Sequence, residues 1–182
     1  MSSAMMVIVI VYTLFFFLSL TFGHDFDQSL GRVLPANLES LQFGDAFNQS
    51  LAPMTLPSGL KRLQLGLGFS QDLAEVTWPS LEKLGFGDFF EPSFQGVVFP
   101  KTLRTLLLGS TFVSEVSNET FPSSLESLSF GEHFDESLQG VTWPENLQSL
   151  SLGNTFNQAL HGELLPKNLQ SPTGLGWRMH CF

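Results

Sequence analysis

The side chains that most often carry catalysis or bind metals are few in this chain and lie far apart. The four histidines are His24, His133, His161 and His180, and the single cysteine is Cys181. No two histidines are four residues apart, the spacing of a helical zinc pair, and only His180 has a cysteine beside it. The glycines form neither a phosphate-binding loop nor a Gly-x-Ser-x-Gly elbow. We therefore expect ordinary surface histidines, no catalytic, cofactor-binding or metal site, and no enzyme activity.

Carboxylates are more frequent, and many of them gather in the turn after a recurrent glycine. These residues are Asp25, Asp27, Asp45, Asp88, Glu132, Asp135 and Glu136. Stacked carboxylates bind Ca²⁺ in some repeat proteins, but the glycine-rich nonapeptide pattern of those proteins is absent here. The sequence therefore favours an acidic edge that faces solvent.

Composition narrows the class of protein further. The 182 residues include 8 Lys and Arg against 17 Asp and Glu, a formal net charge of −9. This balance excludes a surface that neutralises phosphates, so we expect no nucleic-acid partner. One cysteine excludes an internal disulfide framework. An apolar content of 43% is too high for a disordered acidic tail, so the sequence predicts one folded domain.

An internal repeat of 21 or 22 residues organises this domain. Its glycines are Gly23, Gly44, Gly66, Gly87, Gly109, Gly131 and Gly153. A phenylalanine follows three residues after each, at Phe26, Phe47, Phe69, Phe90, Phe112, Phe134 and Phe156. The unit reads Pro-x-x-Leu-x-x-Leu-x-[Phe/Leu]-Gly-x-x-Phe. Repeats of this length are typical of solenoid proteins.

Each repeat predicts one short strand and one coil of a stack. The Leu-x-[Phe/Leu] part alternates with period 2, and the proline, which cannot donate to a ladder, falls between strands. The glycine ends the strand and can take a backbone conformation closed to other residues. A unit of 22 residues cannot bury its own apolar face, so the coils must stack. The fold class is therefore mainly β, a β-solenoid of about seven 22-residue coils. The predicted core comprises Leu41, Phe43, Phe47, Leu63, Leu65, Phe69, Leu128, Phe130 and Phe134.

Three runs in these coils resemble the FNIP-repeat family of short, leucine-rich-repeat-like units. They are FDQSL at 26–30, FNQSL at 47–51 and FNQAL at 156–160, with Ser or Ala in place of the motif proline. The resemblance implies a leucine-rich-repeat-like solenoid over residues 24–171 and carries no catalytic residues. The usual leucine-rich asparagine ladder is missing, because Ala46 and Gly68 occupy its positions. Pro172 replaces a strand leucine, so residues 172–182 are predicted to form a C-terminal tail.

The N-terminal segment, residues 1–23, has three alternative interpretations. Residues 4–22 carry no charge, which suits a cleaved signal peptide or a helical signal anchor that spans a bilayer. The same segment continues the repeat, since Leu20, Phe22 and Gly23 occupy the frame of Leu41, Phe43 and Gly44, which would make it a first coil. We expect a secreted or membrane-associated protein that contacts the membrane through residues 4–22. A cytoplasmic location is the alternative.

Two sequons are relevant to this expectation. Asn48-Gln49-Ser50 and Asn118-Glu119-Thr120 make Asn48 and Asn118 candidate N-glycosylation sites. Since the first arises within the repeat motif itself, the pair adds little evidence for secretion.

The outward positions of the strands are where a function would lie. Successive coils place Glu39, Lys61, Glu82, Arg104, Glu126 and Gln148 in one column of alternating charge. The predicted interaction face is the adjacent small polar column of Ser40, Thr105, Ser127 and Ser149, together with the acidic turns. The sequence thus predicts a non-catalytic binding module with a protein partner. A structural rod or repeat fragment without a ligand is the alternative, and a glycan-binding repeat protein is a more distant one.

Overall fold

The computed structural model describes residues 8–10, 18–30, 34–114, 116, 121–158 and 165–170. These residues contain eight strands and no helix. The strands are β1 (Ile8–Ile10), β2 (Ser19–Phe22), β3 (Ser40–Gln42), β4 (Arg62–Gln64), β5 (Lys83–Gly85), β6 (Thr105–Leu107), β7 (Ser127–Ser129) and β8 (Ser149–Ser151). They form one sheet in chain order. Strand β1 pairs antiparallel with β2, and β2 to β8 are parallel.

The parallel register repeats the sequence period. Leu41 pairs with Leu63, Leu63 with Leu84, and the same leucine continues the ladder to β8. Each of these leucines is at most 2% exposed, whereas the residues on either side of it in the strand face outward in most coils. Seven parallel strands enclose six complete turns, so the predicted β-solenoid is confirmed.

Phenylalanine rings fill the interior behind the strands. Phe47, Phe69, Phe90, Phe112 and Phe134 are all 0% exposed. Neighbouring rings in this column lie 6.2 or 6.3 Å apart between centroids and are nearly parallel. Phe26 and Phe156, at the two ends of the column, are only partly buried. Every residue of the predicted core is buried.

The repeated glycine has a different role from the one expected. Among the described glycines only Gly96 and Gly140, which lie outside the repeated column, have positive φ angles. At the column positions, neighbouring coils approach so closely that a side chain has no room. A Cβ atom on Gly109 would lie 1.7 Å from the Gly87 carbonyl oxygen, and one on Gly66 would lie 2.0 Å from that of Gly44. The glycine is required by the close contact between coils. The prediction that it adopts a backbone conformation closed to other residues is wrong.

The described part of the N-terminal segment is extended. Strand β2 pairs with β3 in the frame of the repeat, with Ser19 opposite Ser40, and Phe22 is 5% exposed. The Phe22 ring stacks on Phe26 at 4.2 Å and on Phe43 at 5.2 Å. Within the described ranges no helix is long and apolar enough to cross a bilayer. Residues 8–10 and 19–22 therefore do not form the helix that was one alternative for this segment, and 172–182 lie outside the described residues.

Candidate interaction face

The predicted small polar residues share one column on the outer face of the sheet. The strand register joins Ser40, Arg62, Lys83, Thr105, Ser127 and Ser149 in that order. Sequence reasoning named the four uncharged members and missed Arg62 and Lys83, which interrupt them. Both occupy the position directly before the strand leucine. Aligning the repeats on that leucine is therefore enough to assign them to this column. The column is therefore polar at both ends and cationic in the middle.

A groove of about 590 Å³ lies at this cationic centre. Its lining from the strands includes Ser40, Gln42, Arg62, Gln64 and Lys83, and its lining from the turns includes Asp45, Leu67 and Asp88. Leu41 and Leu63 also reach the groove, but each is 1% exposed, so they contribute mainly backbone. The groove thus runs from two cations on the strands to two carboxylates in the following turns.

Gly85 shapes the wall of the groove. It stands in the outward column of Gln42 and Gln64, where a Cβ atom would lie 2.1 Å from Gln64 Oε1. Gln64 Nε2 donates to the Leu65 carbonyl at 3.1 Å, which holds its amide over the next strand. Gly85 therefore provides the space that the Gln64 side chain occupies.

The neighbouring charge column is in register and largely self-neutralising. Lys61 N–H donates to the Glu39 carbonyl, Glu82 N–H to that of Lys61, and the series continues to Gln148. Lys61 Nζ lies 3.2 Å from Glu39 Oε1, and Arg104 pairs with Glu126. Arg62 and Lys83, by contrast, form no ion pair with any residue that the structure describes. Of the cations that the structure describes on the strands, these two are the ones without an ion pair.

A second ladder, made by Asx side chains, runs along the turn edge. Asp27 Oδ1 accepts hydrogen bonds from the Asn48 backbone N–H and from Gln49 Nε2, both at 2.9 Å. Asn48 Oδ1 accepts from Ser70 N–H and Gln71 Nε2 at 3.0 Å. The bonds to Asp27 favour its carboxylate form, with the Asn48 bond as the larger cause, and they lower the pKa of Asp27 below its ordinary 3.8. Sequence reasoning missed this ladder, although its signal is the recurring Phe-[Asn/Asp]-Gln.

The remaining predicted site residues are dispersed. Asn48 is exposed, and Asn118 lies outside the described residues, so glycosylation stays a prediction. His24 Nδ1 lies 2.8 Å from Asp45 Oδ2, and His133 is exposed. His161, His180 and Cys181 are also outside the described ranges. Among described residues, no group of three His, Cys, Asp or Glu side chains could hold a metal ion.

Known proteins share the repeats and the fold of this chain. The FNIP Repeat family matches residues 26–68, 47–89, 90–133 and 115–155. The solved structure of CroV588, described as a novel circular LRR protein, is similar, with 34% sequence identity and a TM-score of 0.77. The similarity covers 89% of this chain and 24% of that one, so this chain spans about a quarter of the length of CroV588. No curated protein matches. Because the family matches cover most of the chain, this protein is a member of the FNIP-repeat family.

Proposed function

We propose that this chain is a non-catalytic binding module whose outer strand face contacts a protein partner. The observation that carries the proposal is the pair Arg62 and Lys83, exposed in a groove and without an ion pair in the described chain. A face that served only to hold the stack together would gain from pairing these charges, as Lys61 and Arg104 are paired. Free cations beside amide side chains instead suit recognition of another molecule.

Site-specific photocrosslinking in cells tests this proposal. Gln42, which is exposed in the groove, and Val98, which is 81% exposed and outside the sheet, are replaced in turn by benzoylphenylalanine. We expect a protein adduct from position 42 and none from position 98. Adducts from position 98 alone would refute the strand face as the binding surface.

Two further outcomes correspond to the alternatives. The absence of adducts at both positions would favour a structural rod without a ligand. An adduct whose added mass is removed by glycosidases, and whose digest contains no peptides from a second protein, would favour a glycan-binding protein. Both outcomes would contradict a protein partner at this groove.

A further inference from the structure

We infer that the groove binds an extended polypeptide segment that carries an acidic and a basic side chain about four residues apart. This inference rests on the proposed function and names the chemistry of the partner. The acidic side chain contacts Arg62 and Lys83, and the basic one contacts Asp45 and Asp88.

At the cationic end, two positive charges lie side by side without a counter-ion among the described residues. Arg62 and Lys83 are directly paired residues on adjacent strands, and adjacent strands lie roughly 4.8 Å apart. Like charges directly opposite each other in a sheet repel and destabilise it. A carboxylate placed between them removes this repulsion, and the Arg62 guanidinium matches a carboxylate with two parallel hydrogen bonds. The neighbours of the pair in the column, Ser40 and Thr105, are uncharged and offer no internal counter-ion.

At the acidic end of the groove, two carboxylates lie on either side of an apolar side chain. Asp45, Leu67 and Asp88 occupy the same position, one after the repeated glycine, in three successive coils. Leu67 between the carboxylates is 37% exposed, and the adjoining Phe89 is 58% exposed. Asp45 contacts His24 and Asp88 accepts from the Ser110 hydroxyl, each at 2.8 Å. A lysine or arginine side chain can lay its apolar stem on Leu67 and direct its charge to the carboxylates.

The spacing between the two ends selects an extended segment. Within one coil, Leu67 lies five positions after Arg62, so their Cα atoms are at most about 18 Å apart. In an extended chain, side chains four residues apart project from the same face and are separated by about 13 Å. A peptide that runs along the strands therefore reaches both ends of the groove with residues i and i+4. Polyanions such as nucleic acid or an anionic lipid surface are disfavoured, because Asp45 and Asp88 and the net charge of −9 repel them.

The test is a chemical-shift titration of the isotope-labelled full chain at low salt. The probe is an eight-residue capped peptide of Thr and Val, with Glu at its second and Lys at its sixth position. One control peptide has Glu second and Lys third, and another has Glu at both the second and the sixth position. We expect the first peptide to shift the amides of Arg62, Lys83, Leu67 and Asp88, and to bind at least tenfold more tightly than either control.

Variants separate the groove from the rest of the surface. Arg62→Ser with Lys83→Ser matches the neighbouring Ser40 and should weaken binding at least tenfold, whereas Lys101→Ser removes an exposed cation outside the groove and should not. Thermal unfolding establishes that each variant is folded. Equal binding of the first and the two-Glu peptide, or of the double variant and the unaltered chain, would overturn the inference. A protein adduct from position 42 without binding of the first peptide would overturn it too, while leaving the proposed function standing.

Discussion

At Gly109, one short distance determines which residues the position tolerates. A Cβ atom there would lie 1.7 Å from a backbone oxygen of the preceding coil, and backbone cannot rotate away as a side chain can. We expect Gly109→Ala to lower the free energy of unfolding by about 3 kcal/mol or more, at the upper end of overpacking effects. Urea unfolding measures the change.

Gly59→Ala is the matched control for this substitution. The nearest atom to its Cβ would be the Leu38 carbonyl oxygen at 4.0 Å, and the backbone of Gly59 is in a region that alanine adopts. We expect this variant to be as stable as the unaltered chain or more stable by about 0.4–1 kcal/mol. Equal losses in the two variants would show that close approach is not what selects the column glycines.

Asp27 gives the turn ladder a dependence on pH. Its folded pKa lies below its ordinary value of 3.8, so its contribution to stability is present above that value. The contribution is lost as the pH falls through the folded pKa. Asp27→Asn keeps an acceptor oxygen, as Asn48 shows one coil later, but has no charge to titrate.

Thermal unfolding as a function of pH tests this contribution. From neutral pH to below 3.8, we expect the melting temperature of the unaltered chain to fall further than that of Asp27→Asn. The other carboxylates are common to both proteins, so the difference between the two curves isolates Asp27. Parallel curves would mean that the hydrogen bonds from Asn48 and Gln49 do not favour the charged form.

At the scale of strands, the charge column is predicted to fix register. Lys61→Glu with Arg104→Glu replaces two described attractions, to Glu39 and Glu126, by repulsions. We expect a loss of roughly 0.2–1 kcal/mol per pair at low salt, because the pairs are exposed, and a smaller loss at high salt. Chemical denaturation at two salt concentrations measures both values.

Lys101→Glu is the control for this pair of reversals. It changes charge at an exposed residue that has no ion pair in the described chain, so its effect should be small at either salt concentration. If the double reversal behaves like the control, the two ion pairs do not contribute to the stacking of the coils.

The strands were the part of the fold most open to prediction. The leucine at the centre of each strand from β3 to β8 and the phenylalanine three residues after the glycine are one-dimensional patterns. The structure buries both columns, apart from the end rings Phe26 and Phe156. The reason for the glycines could not be read in this way, because the distance between Gly109 and Gly87 depends on how the coils stack. The groove itself was not predicted. Of its lining, Ser40, Asp45 and Asp88 belong to the predicted face. Arg62 and Lys83 depart from the small residue type of the column, although they share its position before the strand leucine.

For the molecule as a whole, residues 4–22 are still predicted to direct the chain to a membrane or into the secretory route. This expectation rests on the length of the uncharged segment. Phe22, at its end, also packs in the first coil, where its ring stacks on Phe26 and Phe43. A C-terminal reporter should appear in the medium or resist carbonate extraction of membranes. Phe15→Asp places a charge within the segment and should reduce that targeting. A soluble cytosolic reporter on the unaltered chain would leave the segment as a first coil only.

The hydrogen bonds between coils have a consequence for how such a gene can change. The same backbone hydrogen bond joins each coil to the next: Lys61 N–H donates to the Glu39 carbonyl, and Glu82 N–H donates to the Lys61 carbonyl. It recurs at Arg104, whose N–H donates to the Glu82 carbonyl. If one whole coil were duplicated, its backbone N–H and carbonyl groups would therefore find hydrogen-bond partners in the coils on either side, wherever it was inserted. Its effect on recognition would depend on the place. An extra coil between β7 and β8 would leave the groove intact, but one between β4 and β5 would separate Arg62 from Lys83. Descendants of this chain can thus vary in length at one end while they keep the same surface for a ligand.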